Sequence, residues 1–99
     1  MSSRSNVVST GVTSSAVVRA AACTYHGYTL RAGVSGATVN IYDNASAASG
    51  TLLDVVTIAA STTASTYFSV NGTNGGLRAV NGVYFETNNA VTGSIRTAQ

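Results

Sequence analysis

The sequence predicts an all-β domain: an antiparallel β-sandwich or small barrel of about six to eight short strands, preceded by an extended N-terminal arm. Three observations carry that expectation. Apolar and polar residues alternate with period two through most of the chain, and helical periodicity is nearly absent. Gly and Asn clusters interrupt the alternation at spacings of ~8–12 residues, the rhythm of turns in a sandwich. The 99 residues supply one domain with one core, not two.

Met1 to Ser15 is rich in Ser and Thr, with isolated Val7, Val8 and Val12. It holds too little apolar surface to fold alone and is expected as an arm, ordered only where it lies on something else. The chain therefore divides into an arm over 1–15 and a sandwich over 16–99. A first strand is expected over Ala16–Ala22, centred on Val17 and Val18. A second runs from Cys23 to Arg31 with Tyr28 and Leu30 inward, which places Thr24 and His26 on the same face. Gly33 and Gly36 mark a turn. Ala37–Asp43 alternates most clearly, with Ala37, Val39 and Ile41 against Thr38, Asn40 and Tyr42.

Asp43 and Asn44 open a loop to Gly50 through side-chain bonds to backbone, and the Ala45–Ser49 run has the composition for one helical turn. Leu52–Ala59 has few polar residues and is expected as a central strand. After a turn over Ser61–Ala64, the residues Ala64, Thr66, Phe68 and Val70 alternate with Ser65, Tyr67 and Ser69. Asn71–Gly76 is a glycine-rich loop, and Leu77 and Val80 are expected to anchor a short edge segment. Asn81–Gly82 is a tight-turn pair. Val83, Phe85 and Thr87 then oppose Tyr84 and Glu86, and Asn88–Asn89 leads into a last strand over Val91–Thr97.

Composition bounds the function. Charged residues are 8% of the chain, against roughly 25% in an average soluble domain. There is no lysine and no proline, the residues with which lone β domains keep sheet edges from pairing. A surface of Ser, Thr, Asn and Gly hydrates well but repels poorly, so this surface is expected to be committed to other protein; the alternative is a monomer held soluble by hydroxyls and amides. The basic residues Arg4, Arg19, Arg31, Arg78 and Arg96 are scattered, which argues against a nucleic-acid stripe, and no polybasic run suggests a membrane surface. No apolar stretch approaches the ~20 residues that span a bilayer, and Met1–Thr10 lacks the apolar core of a signal peptide. Cys23 is the only cysteine, which excludes an internal disulfide and fits synthesis in a reducing cytoplasm.

Catalytic chemistry finds little support. His26, the only histidine, has no nucleophile-elbow serine in context and reads as a sheet histidine packed beside Tyr28. One His, one Cys and the acids Asp43, Asp54 and Glu86 show no metal-ligand spacing, and no cofactor is expected. A glycosidase pair among the three acids has no sequence support. Asn71–Gly76 lacks the lysine and the strand-to-helix setting of a phosphate loop. Tyr42, Tyr67 and Tyr84 fall opposite the apolar series of their own strands; outward tyrosines make good interface anchors and, less in keeping with this charge pattern, stacking platforms for bases. The expected contact residues are Val7, Val8, Val12, Tyr42, Tyr67 and Tyr84.

The segment Gly36-Ala37-Thr38-Val39-Asn40-Ile41-Tyr42-Asp43-Asn44-Ala45, with Ser49-Gly50-Thr51-Leu52-Leu53 after it, is similar to one in small virion proteins of tailed bacteriophages. Gly76–Val80 and Gly82–Phe85 fit the same pattern, which covers roughly Ala20–Thr97 and leaves the N-terminal arm out. The resemblance implies a compact β-sandwich or barrel in the particle, often a head decoration (cement) protein on the capsid exterior, dimeric or trimeric, clamping adjacent major capsid subunits. Made in the host cytoplasm, such a chain would have the major capsid protein or other virion proteins as partners, with neither membrane nor nucleic acid. A tail, neck or fibre subunit is the alternative within the particle, and a carbohydrate- or nucleic-acid-binding module the alternative of a different class. An enzyme is not expected.

Overall fold

The computed structural model describes residues 7–67 and 76–98, and these form an all-β sandwich with no helix. Nine strands lie among the described residues: β1 (Val7–Val12), β2 (Ala16–Arg19), β3 (Cys23–Ala32), β4 (Ala37–Asp43), β5 (Thr51–Ile58), β6 (Thr63–Tyr67), β7 (Leu77–Ala79), β8 (Val83–Thr87) and β9 (Val91–Ala98). One antiparallel sheet, sheet A, runs β1-β9-β3-β6, with β7 beside β6 on the same side of β3; the other, sheet B, runs β2-β8-β4-β5.

The alternation expected from the sequence places the core between the sheets. Val39 and Ile41 of β4, Val83 and Phe85 of β8, Leu30 of β3 and Ile95 of β9 are all fully buried. Burying each such side chain contributes about 1.5–3 kcal/mol, which is the main stabilisation open to a chain without disulfides. Asn44 opens the β4–β5 loop as expected: its Oδ1 accepts from the backbone N–H groups of Ser46 and Ala47. That side chain closes the loop as a turn, and no helical turn forms over Ala45–Ser49.

Several elements depart from the sequence expectation. Val7–Val12, expected as part of an arm, is extended but pairs with β9 of its own chain, from Val7 opposite Ala98 to Val12 opposite Gly93. Val12 then drops into the core at 7% exposure. A modest apolar content suffices here because β9 supplies a ready backbone ladder. Met1–Asn6 lies outside the described residues, as do Phe68, Val70 and most of the Asn71–Gly76 loop.

β3 changes phase in mid-strand. Tyr25 faces Thr97 and Gly27 faces Arg96, so His26 is an extra residue on β3. Cys23 and Tyr25 point inward before this bulge, and Tyr28, Leu30 and Ala32 point inward after it. Tyr25, not Thr24, therefore shares the core with Leu30. Gly27 permits the bulge: its φ is 107°, and a Cβ there would overlap the Thr66 carbonyl oxygen.

β5, expected as central, is an edge strand bonded only to β4. Asn81–Gly82 does not close a hairpin, because β7 belongs to sheet A and β8 to sheet B. The pair instead carries the chain between sheets, with Gly82 so close to the Arg19 carbonyl that no side chain fits. The short strand β7 is anchored by Ala79, fully buried, whereas Leu77 and Val80 are 39% and 63% exposed.

Candidate interaction surfaces

Potentially reactive groups are built into the scaffold. Cys23 is fully buried, and desolvation pushes its thiol above the ordinary range against the opposing pull of Arg19 and Arg78. His26 sits in the bulge at 2% exposure, with its ring 6.3 Å from that of Tyr67 and tilted to it. No group of three or more His, Cys, Asp or Glu side chains suited to a metal occurs among the described residues. None of the described residues forms a helix long and apolar enough to cross a membrane.

Two carboxylates lock the sandwich. Tyr25 of sheet A crosses the core and donates its hydroxyl to Asp54 Oδ2 of sheet B at 2.9 Å. Asp54 turns inward because it lies opposite the core residue Ile41, beside a bulge that makes Leu53 the extra residue of β5. Burial, then the Asp54 charge, drives the Tyr25 hydroxyl far above the ordinary phenol range, so it stays protonated. At the other end of β4, Asp43 accepts from the backbone N–H groups of Val80, Asn81 and Gly82, fixing the crossover between sheets.

Arg96 serves the β3 bulge. Its guanidinium lies on the outer face of sheet A and donates to the carbonyls of Tyr28 and Thr66 and to Thr29 Oγ1, at 2.8, 3.2 and 3.0 Å. It also stacks 5.6 Å from the centre of the Tyr67 ring. The bulge and the Gly27–Thr66 approach disturb the regular ladder, and Arg96 supplies donors to oxygens there.

The surfaces left for partners are of three kinds. The first is the β5 edge, where Leu52 and Val55 are 49% and 56% exposed and no lysine or proline interrupts the strand. The second is the outer face of sheet B. Across its central strands Tyr84 lies opposite Tyr42, and Glu86 opposite Asn40. Asn40 donates to Glu86 Oε1 at 2.9 Å, and Tyr42 approaches the same oxygen at 3.5 Å. Beside this quartet is a shallow hollow of about 220 Å³, lined by Thr38, Asn40, Glu86, Thr87 and Asn88.

The third is the outer face of sheet A, which carries Arg31, Arg78 and Arg96 with Tyr67. Comparison with protein-family profiles, with curated proteins and with solved structures returned no match. The surfaces must therefore be read on their own chemistry.

Of the contact residues expected from sequence, Val8 is exposed at 46%, Val7 is half-buried and Val12 is in the core, so Val12 is not available to a partner. Tyr42 and Tyr84 come together on sheet B, both half-buried, whereas Tyr67 is on the opposite face of the molecule and 53% exposed. Sequence reasoning missed the β5 edge, because a run of apolar residues reads as buried. It also missed that arginines far apart in the chain share a face. The signal for the first bulge was present: a lone glycine inside a strand pattern, at Gly27.

Proposed function

We propose that this chain is a non-enzymatic structural subunit of a virion, a capsid decoration protein that stabilises the lattice of a tailed bacteriophage. One observation carries the reading. β5 is an edge strand whose Leu52 and Val55 side chains face outward and whose single charge, Asp54, is turned inward onto Tyr25. An edge with no lysine, proline or outward charge is undefended against strand pairing. Its cover is a strand or flat surface of another virion protein, bound through backbone hydrogen bonds and apolar contact. Repetition of such contacts over a shell multiplies a modest single-site affinity. The resemblance of Gly36–Ala45, Ser49–Leu53, Gly76–Val80 and Gly82–Phe85 to small phage virion proteins supports the choice of a virus particle.

The test is to purify particles of the virus that carries the gene and to locate the chain on them by quantitative mass spectrometry and immunogold labelling. The expected result is many copies on the capsid exterior, reduced by a Leu52→Glu, Val55→Glu double variant that leaves the fold intact. Labelling of the neck, tail or fibre moves the assignment to that part of the particle. Absence from particles, with the protein present in the infected cell, overturns the virion reading.

A further inference from the structure

The charged residues of this molecule are unevenly distributed over its sheets, with Arg19 of β2 the one arginine among the described residues of sheet B. All three acids of the chain lie in strands of sheet B: Asp43 in β4, Asp54 in β5 and Glu86 in β8. Sheet A has no acid among its described residues, yet holds Arg31 in β3, Arg78 in β7 and Arg96 in β9. The strand register spaces these arginines along β3, with Arg78 on one flanking strand, Arg96 on the other and Arg31 on β3 itself. Arg78 pairs with Thr24 and Arg96 with Gly27, so with Arg31 they mark three stations along β3. These stations span roughly 20 Å at ~3.3 Å per residue. Arg31 and Arg78 are exposed, whereas Arg96 is held by the carbonyls it serves.

The two faces also correspond in position. Arg31 precedes the Gly33–Gly36 turn by two residues and Thr38 follows it by two, with Gly36 N–H bonded to the Gly33 carbonyl across the turn. Arg31 and the hollow beside Glu86 therefore lie at the same end of the sandwich, on its two opposite outer faces. In that hollow Glu86 Oε1 is engaged by Asn40, while Oε2 has no hydrogen-bond partner among the described residues. The lining presents a carboxylate with amides and hydroxyls, the chemistry that receives a guanidinium.

We propose that copies of this chain associate head to tail, sheet A of one against sheet B of the next, with Arg31 seated in the hollow against Glu86 of the neighbouring copy. A simple translation across the sandwich brings the two groups into register, and Tyr67 on one face and Tyr42 and Tyr84 on the other supply apolar contact around them. The contact is heterologous, so each copy keeps one face of each kind open for the next and the association repeats. This goes beyond the decoration reading and stands without it, since it requires only a second copy.

Sedimentation velocity of the full chain tests it, with circular dichroism confirming the fold of each variant. At about 50 mM salt, where exposed charges are weakly screened, wild type should form species larger than a dimer as concentration rises. At about 500 mM salt these should dissociate. Arg31→Ala and Glu86→Gln should each weaken self-association roughly tenfold or more. Glu86→Gln preserves an acceptor for Asn40, so it isolates the charge. An equimolar mixture of the two variants retains one live face of each kind and should stop at a one-to-one dimer. Wild type that stays monomeric at low salt, association indifferent to salt, or variants that assemble like wild type would each overturn the proposal. These outcomes are independent of whether the chain is found on virus particles.

Discussion

Replacing Tyr25 with Phe removes one oxygen from the middle of the sandwich, at a cost that depends on pH. At neutral pH the hydroxyl donates to the Asp54 carboxylate at 2.9 Å, joining the two sheets through a fully buried ring. Hydrogen bonds to a charged acceptor contribute about 1.5–3 kcal/mol, and half-buried Asp54 regains some hydration when the donor is lost. Tyr25→Phe should therefore cost about 1–2 kcal/mol at pH 7. At high pH the cost shrinks. Burial and the Asp54 charge raise the folded-state pKa of Tyr25 above its unfolded value near 10. Its contribution is thus fully present below pH ~10 and is lost as the pH rises beyond that, because only the unfolded chain releases the proton. One proton gives a slope that approaches ~1.4 kcal/mol per pH unit, or a loss of about 1.4 kcal/mol by pH 11. The phenylalanine variant has no such loss. Urea unfolding of both proteins at pH 7 and pH 11 measures the difference: the gap between wild type and variant should shrink by about 1.4 kcal/mol at the higher pH. A gap of constant size would refute the placement of a buried, neutral hydroxyl on Asp54.

Other consequences are as direct. Gly27→Ala forces a side chain into the Thr66 carbonyl at a φ of 107°, and should cost more than about 3 kcal/mol, read as a large fall in melting temperature or as insoluble protein. Arg96→Ala removes Nη2, the one nitrogen that donates to the Tyr28 and Thr66 carbonyls and to Thr29 Oγ1, so it should destabilise by about 2 kcal/mol in chemical unfolding, with no comparable effect from Arg31→Ala on the same face. Cys23, fully buried with its thiol pushed up by desolvation, should resist a thiol reagent such as dithionitrobenzoate at pH 8 in native protein and react at once in denaturant. Rapid labelling of the native chain would contradict its burial.

The fold was legible in the sequence where one physical rule governed the residues. Ala37–Asp43 and Val83–Thr87 alternate because each strand has one face on the core and one on solvent, and both emerged with the expected sidedness. The rule failed where a second effect competed. In β3 the alternation is interrupted by an inserted residue, so Thr24 and His26 could not be phased by counting back from Leu30. In β5 the apolar run was read as burial on two faces, whereas the strand ends at an open edge. Asn81–Gly82 has hairpin chemistry, but turn residues report only a local bend, and whether the flanking strands belong to one sheet is decided by distant pairing. Val7–Val12 resembled an arm because its ladder partner, β9, comes at the far end of the chain.

The surface shows the same limit more sharply. Read along the chain, five arginines and three acids are scattered and suggest only weak repulsion between molecules. Read on the fold, every acid lies in sheet B, together with Arg19, and the acid-free sheet A carries three arginines spaced along β3. Low charge density then has two consequences that composition alone merges. Around the β5 edge it leaves backbone and apolar side chains undefended, which invites a partner of any sequence able to form a strand. On the outer faces the exposed charges differ in sign, with Arg31 and Arg78 on sheet A and Glu86 on sheet B, since Asp54 is turned onto Tyr25 and Asp43 is held at the crossover; the proposed head-to-tail contact uses that difference. In the proposed head-to-tail contact, few other surface charges would compete with Arg31 for Glu86. On the two proposals together, the edge would supply adhesion and the faces direction, so that variants at Leu52 and Val55 should weaken binding to a partner without altering the salt dependence set by Arg31 and Glu86.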